Sequence, residues 1–425
     1  VKRRTRWILL GLAAVVIAIG AILFVSLTSE KEIRQPIESP YAVGDAQFQR
    51  SMGSLLGPAL LAGNRVETLL NGDEIFPAML AAIGSARETI TFETYIYWSG
   101  DVGKAFADAL AERARAGVKV HILVDWVGSQ KMEQAYLDEM EKSGVQIRKY
   151  HPLRWYNLNR LNNRTHRKIL VVDGRVGFTG GVGIADEWSG HAQDENHWRD
   201  THYRIVGPAV AQMQAAFADN WTKVSGVVLH GAPYFPALEA AGEQPAQVFM
   251  SSPEGGAESM HLMYLLSIAS ARQTIDLAMA YFVPDALATQ ALVAALKRGV
   301  RVRIIVPGRK TDAALVRSAG RSTWGPFLEQ GARIHEYQPT MYHCKVLVVD
   351  GLWVSVGSTN FDTRSFRLND EANLNVLDRD FARRQTADFE SDLERSRRIT
   401  HEEWLQRPWT ERLQDRLMSF FNAQL

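Results

Sequence analysis

Thr165-His166-Arg167-Lys168-Ile169-Leu170-Val171-Val172-Asp173-Gly174 returns, 177 residues later, as Tyr342-His343-Cys344-Lys345-Val346-Leu347-Val348-Val349-Asp350-Gly351. Each stretch is a polar start, an aliphatic run the length of a buried strand, and an Asp-Gly turn. Side chains alternate on an extended chain, so His166 and Lys168 share one face while Arg167 takes the other. His343 and Lys345 repeat that arrangement about Cys344. A lone His-x-Lys on a strand is usually a solvated face. Two of them, at matching places in a repeat, point to chemistry.

Further segments recur in the same order around this pair. Ser85-Ala86-Arg87-Glu88-Thr89-Ile90 is answered by Ser270-Ala271-Arg272-Gln273-Thr274-Ile275, residues 117–124 by residues 299–306, and residues 144–148 by residues 331–335. The offsets stay between 177 and 187. Within the first copy, Thr89–Tyr97 reads as a strand and Val102–Ala116 as a helix that stops at Gly117. Lys119–Val124 reads as a strand, Met132–Ser143 as a helix and Gln146–Tyr150 as a strand. Such alternation implies βαβ units and a parallel or mixed sheet. A chain of 425 residues is expected to hold two to three domains. The repeat assigns two similar α/β domains, residues 61–230 and 231–425, joined near residues 225–250 where Gly231-Ala232-Pro233 falls.

Composition narrows the classes. Hydrophobic residues at 46% and charged residues at 22% exclude a disordered or collagen-like chain. One cysteine, Cys344, excludes an intrachain disulfide and any multi-thiolate metal site. Forty-eight basic against 47 acidic groups, a formal charge of +1, exclude a strongly basic nucleic-acid coat protein. Trp7–Leu27 runs 21 residues without a charge, about 31 Å as a helix. It reads as an uncleaved signal anchor within residues 1–28, a cleaved signal peptide being the alternative. Lys2, Arg3, Arg4 and Arg6 precede it, which places the N-terminus in the cytoplasm and the bulk of the chain outside. Taking those four basic groups from +1 leaves −3 on the rest, so attraction to phosphate must come from local geometry. Residues 29–60 read as a linker.

The paired His-x-Lys motifs suit attack on a phosphodiester. Each lysine can neutralise oxygen charge as it develops, one imidazole can attack phosphorus, and the other can protonate the leaving oxygen. Two half-sites meeting across a pseudo-twofold would supply both.

On these residues the chain resembles the phospholipase D superfamily, whose signature is two H-x-K-x4-D motifs. Its bacterial cardiolipin synthase-like branch is suggested by Gly357-Ser358-Thr359-Asn360-Phe361-Asp362-Thr363-Arg364-Ser365 followed by Asn369-Asp370-Glu371-Ala372-Asn373. Gly180-Gly181, Ile184-Ala185-Asp186-Glu187-Trp188 and Trp198-Arg199-Asp200-Thr201-His202 resemble the same branch. The similarity spans nearly all of residues 65–425. It implies two α/β domains related by a pseudo-twofold, one active site between them, and no metal or cofactor. His166 would be the nucleophile and His343 the general acid, by family habit rather than by anything the spacing shows. Lys168 and Lys345 would bind phosphate oxygens, with Asn360 and Ser358 as further substrate-binding residues. Asp200 and Glu371 would orient a histidine from behind. Asp173 and Asp350 complete the catalytic motifs, although a place before glycine suits closure of a turn. Gly183 stands where the family commonly has Asn, so half of a symmetric amide clamp is missing.

The resemblance implies a membrane-bound phosphatidyltransferase that makes cardiolipin from two phosphatidylglycerols through a phosphatidyl-histidine. The alternatives are a phospholipase D-type hydrolase or a nuclease of the same fold, and a non-catalytic scaffold. Phospholipid and membrane are the expected partners, and nucleic acid is not. Arg154-Trp155-Tyr156 could meet lipid headgroups or pack as a loop. The C-terminal stretch with Trp404, Trp409, Leu413, Leu417 and Phe420 is amphipathic and suits packing on its own domain or the membrane. His191, His197 and His202 lack the spacing of a helical metal site.

Overall fold

In the computed structural model the described residues are 33–152, 163–253 and 258–419, with scattered positions before residue 21. The span Trp7–Leu27 and the loop around Trp155 lie largely or wholly outside them. No helix among the described residues is long and apolar enough to cross a membrane.

One mixed sheet runs through both halves. From the centre outward the first half contributes Leu61–Leu70, Thr201–Val206, Val176–Gly180, Ile169–Val172, Thr89–Thr94, Lys119–Asp125 and Gln146–Tyr150. The second half repeats that order with Gln244–Ser251, Asn369–Leu377, Trp353–Gly357, Lys345–Val349, Thr274–Met279, Arg301–Pro307 and Arg333–Tyr337, then adds Ser396–Ile399 at its edge. The two innermost strands, Leu61–Leu70 and Gln244–Ser251, are equivalent and pair antiparallel, as a twofold between repeats requires. Along this strand order, parallel pairing falls in the outer three strands of each repeat, where helices make the crossovers.

Alternation along the aliphatic strands explains the layers. Ile169 and Val171, with Val346 and Val348, enter a core shared by both halves that includes Phe217, Trp221, Phe381 and Phe389. Leu170 and Val172 face the first half's own outer helices, and Leu347 and Val349 face those of the second. Both faces are covered, hence the unbroken Val, Ile and Leu runs.

The turns after these strands account for the two motif aspartates. Asp173 and Asp350 sit at φ +53° and +52°, each before a glycine. The Asp173 carboxylate accepts the N–H groups of Arg87, Glu88 and Thr89 at 2.8–2.9 Å. Asp350 accepts those of Arg272, Gln273 and Thr274 at 2.7–2.9 Å. Their grouping with the catalytic residues is corrected: each ties its strand end to the start of a neighbouring strand.

Two other expectations change. His166 to Lys168 lie just before the strand Ile169–Val172 rather than within it, and Lys345 opens its strand. Residues 29–60 are more than a linker, because Ala46–Leu56 is a helix burying Phe48, Met52 and Leu56. Phe48 meets Trp353 edge-on at 5.0 Å. The C-terminal helix Trp409–Ser419 is tied to its own domain by Arg407–Asp415 at 3.1 Å and Arg321–Glu411 at 3.2 Å, while Trp409 and Leu413 stay exposed.

Phe48→Ala is expected to destabilise the folded chain by about 3 kcal/mol, the usual cost of emptying a buried aromatic site. A lowered urea midpoint checks this; an unchanged midpoint would mean the helix contributes nothing to the second half's core.

Candidate active site

Backbone pairing across the junction brings the two motifs together. Arg164 and Thr165 run parallel to Asn369 and Asp370, and the His166 N–H donates to the Asp370 carbonyl at 2.8 Å. The second half mirrors this: Arg199 bridges Tyr342, and the His343 N–H donates to the Arg199 carbonyl at 2.8 Å. Each motif therefore enters the site alongside a strand start from the opposite half. Asp125 fixes the approach by accepting the Thr165 N–H at 3.1 Å, and Glu93 accepts the Thr165 hydroxyl. Burial pushes Glu93 up to about 7 and Asp125 up to about 6.

The carboxylates are exchanged in the same manner. His166 Nδ1 lies 3.0 Å from both oxygens of Glu371, and His343 Nδ1 lies 2.7 Å from Asp200 Oδ2. Glu371 and Asp200 are fully buried. Burial raises both carboxyls, but the facing histidines and the lysines outweigh it and hold them below the ordinary carboxylate range. An ionised carboxylate only accepts, so each Nδ1 carries the proton and each Nε2 keeps its lone pair.

Both rings line one cavity of about 680 Å³, together with Lys168, Asn360, Tyr95, Trp188, Trp198, Tyr281 and Arg364. Burial, opposed by Glu371 and helped by Lys168 and Lys345, brings the His166 ring down to about 4. His343 is lowered too, by burial and then Lys345, against Asp200. Lys168 falls to about 7 through burial and its neighbour Lys345, and Lys345 falls through burial. The Lys345 ammonium sits 3.0 Å and 3.2 Å from the two nitrogens of the His343 ring. Burial is the leading cause for all four charged groups, and the two lysines offset the two carboxylates.

Arg167 and Cys344 point away, as the alternation predicts. Arg167 is buried and donates to the Ala216 and Ser251 carbonyls at 2.6 Å and 3.1 Å. Cys344 lies against the Arg199 carbonyl.

Asn360 reaches the cavity, and its buried Oδ1 has no hydrogen-bond partner among the described residues. Ser358 does not: its hydroxyl donates to Glu371, so it holds the carboxylate rather than substrate, and that expectation is corrected. Asn369 adds a 3.3 Å bond to the same carboxylate.

The first half solves the problem differently. Its counterpart of Ser358 is Gly181, where an added Cβ would run into Asp200. The donor comes instead from Trp188, whose indole N–H reaches Asp200 Oδ2 at 2.9 Å while its ring meets His343 edge-on at 5.2 Å. A Cβ at Gly183 would fall 2.8 Å from Ile96 Cβ and 3.2 Å from Trp188 Cη2. The missing asparagine is therefore a space already filled by Ile96 and Trp188. Sequence reasoning had no means of linking these three positions, which are two to seven residues apart but joined only through the folded indole.

Comparison with known proteins bears on this geometry. The chain matches the family described as "Cardiolipin synthase, PLD-like domain" over residues 79–221 and 264–393. It is 37% identical over 359 residues to a cardiolipin synthase of Geobacillus kaustophilus, covering 84% of this chain and 71% of that protein. It is 34% identical over 389 residues to a cardiolipin synthase of Listeria innocua, covering 90% and 80%. Among solved structures, the phosphatidylserine synthase of Haemophilus influenzae shares the fold with a TM-score of 0.70 at 14% identity, covering 89% of this chain and 100% of that one.

Asp200→Asn and Glu371→Gln are each expected to lower kcat on a phosphodiester by about 10²–10⁴-fold, the scale of general acid–base assistance, with KM little changed. Steady-state kinetics check this, and full activity in either variant would remove the carboxylates from the mechanism. Gly183→Asn is expected to collide with Ile96 and Trp188, lowering stability by about 1–3 kcal/mol in urea titration without raising turnover.

Proposed function

The chain belongs to the cardiolipin synthase family of phospholipase D-like enzymes, and we propose that it converts two phosphatidylglycerols into cardiolipin and glycerol. The observation that carries this reading is the pair of histidines, one from each half, lining a single cavity with a lysine beside each. The proposed domains are residues 61–230 and 231–425, with the run Trp7–Leu27 tethering them to the bilayer that supplies the substrate.

The first lipid enters with its phosphate between the rings, met by Lys168, Lys345 and the Asn360 amide. Its negative charge draws the ammonium of Lys345 from His343 and raises the proton affinity of that ring, whose Nε2 takes up a proton from water. His166 Nε2 then attacks phosphorus, the bond to the glycerol oxygen breaks, and His343 gives that oxygen a proton. Glu371 steadies the positive charge left on the phosphatidyl-histidine. The second phosphatidylglycerol offers a terminal hydroxyl, whose proton passes to His343 as its oxygen attacks phosphorus and the P–N bond breaks. One diester replaces another of similar energy, so the exchange is balanced without an energy-supplying partner. Asp200, at 2.7 Å from His343, favours the imidazolium that each step requires.

Purified protein given phosphatidylglycerol vesicles is expected to form cardiolipin and glycerol, and His166→Ala to form neither. Phosphatidic acid alone would instead mean hydrolysis. The pH dependence follows from the free groups. His166 attacks only when neutral, so kcat/KM is expected to fall as pH drops through about 4. It is expected to fall again as pH rises, as His343, lowered by burial, loses the proton it must give and Lys168 loses its charge through about 7. Bound phosphate raises the lysine, so the alkaline limb of kcat should lie higher than that of kcat/KM. Coincident limbs would exclude Lys168 from phosphate binding.

A further inference from the structure

Beside the catalytic cavity lies a second hollow of about 490 Å³, and the two share Trp98, Lys131, Glu187 and Trp198 as walls. Trp198 spans the boundary: its ring lies 5.6 Å from that of His343 and 4.4 Å from that of Trp188, and it also lines the hollow. The walls are braced by backbone. Trp98 N–H donates to the Ile184 carbonyl at 2.9 Å, and Trp198 N–H to the Glu187 carbonyl at 2.7 Å.

The chemistry of this hollow is unlike that of the phosphate end. It presents two indoles and a half-buried carboxylate, Glu187, that engages no other side chain among the described residues. An anionic headgroup would meet Asp186, Glu187 and Glu195. A cationic headgroup would seek those carboxylates and an indole face, but Glu195 is paired with Lys310 at 3.5 Å, Asp186 accepts the Asp101 and Val102 N–H groups, and Lys131 already stands 3.7 Å over Trp98. A neutral polyol meets neither obstacle. Its C–H faces pack on indole and its hydroxyls donate to Glu187.

We propose that this hollow is the polyol subsite, holding the glycerol that leaves the first lipid and then the glycerol headgroup of the second. The inference rests on the transfer reading above, in which His343 handles the proton of both alcohols. Because the second displacement is the first run backwards, leaving and entering oxygens occupy the same place beside His343. The carbons attached to them must lie next to Trp198, and Glu187 accepts the hydroxyl on the far side.

The test is a competition that reads a ratio rather than a rate. Phosphatidylglycerol vesicles are incubated with protein, deuterated glycerol, 1-butanol and ethanolamine at equal concentration, and the lipids are resolved by mass spectrometry. The wild-type protein is expected to form deuterated phosphatidylglycerol in clear excess over phosphatidylbutanol and phosphatidylethanolamine. Glu187→Ala is expected to lower the glycerol-to-butanol product ratio about tenfold, the scale of one lost hydrogen bond to a charged group, and Glu187→Gln to fall between. An unchanged ratio in Glu187→Ala, or phosphatidylethanolamine as the main wild-type product, overturns the subsite. Phosphatidic acid with no alcohol product from the wild type would overturn the transfer reading itself, a distinct signature.

Discussion

His166 is held by Glu371 and His343 by Asp200, so each half of the chain orients the imidazole that the other half supplies. The pairing is buried at 0% exposure for both carboxylates, where an unmatched charge costs several kcal/mol. Neither half can therefore present a finished site alone. The same junction is stitched by backbone, through the His166 and His343 N–H groups and the antiparallel pairing of the two innermost strands. Catalytic geometry and domain association are one interaction seen twice.

Much of this was legible along the chain. The repeated His-x-Lys motifs placed both pairs on one face, and the aliphatic runs behind them announced strands covered on both sides. The candidate carboxylates Asp200 and Glu371 were visible as matching positions after each motif. Which ring each would meet was not, because side-chain exchange across a twofold leaves no mark on spacing. The motif aspartates Asp173 and Asp350, whose place before glycine suited closure of a turn, each hold three backbone N–H groups at a positive φ. Ser358, which the resemblance set beside Asn360 as substrate-binding, turns its hydroxyl onto Glu371 in the fold.

The two halves have also drifted apart in a way that suits their different tasks. Glu371 is held by a hydroxyl and an amide, Asp200 by an indole that also packs against the histidine it serves. Gly181 leaves room for the Asp200 carboxylate, and Gly183 for Ile96 and the indole. A symmetric fold thus carries an asymmetric pair of imidazoles. A double displacement calls for that, since one ring forms a bond to phosphorus while the other only moves a proton.

The most direct test of two imidazoles acting on one phosphorus is to quench turnover of phosphatidylglycerol and sequence the protein's peptides by mass spectrometry. The account predicts a phosphatidyl adduct on His166, lost when that residue is replaced and accumulating when His343→Ala slows its transfer. An adduct on any other side chain, or cardiolipin formed at full rate by a chain lacking His166, would contradict it.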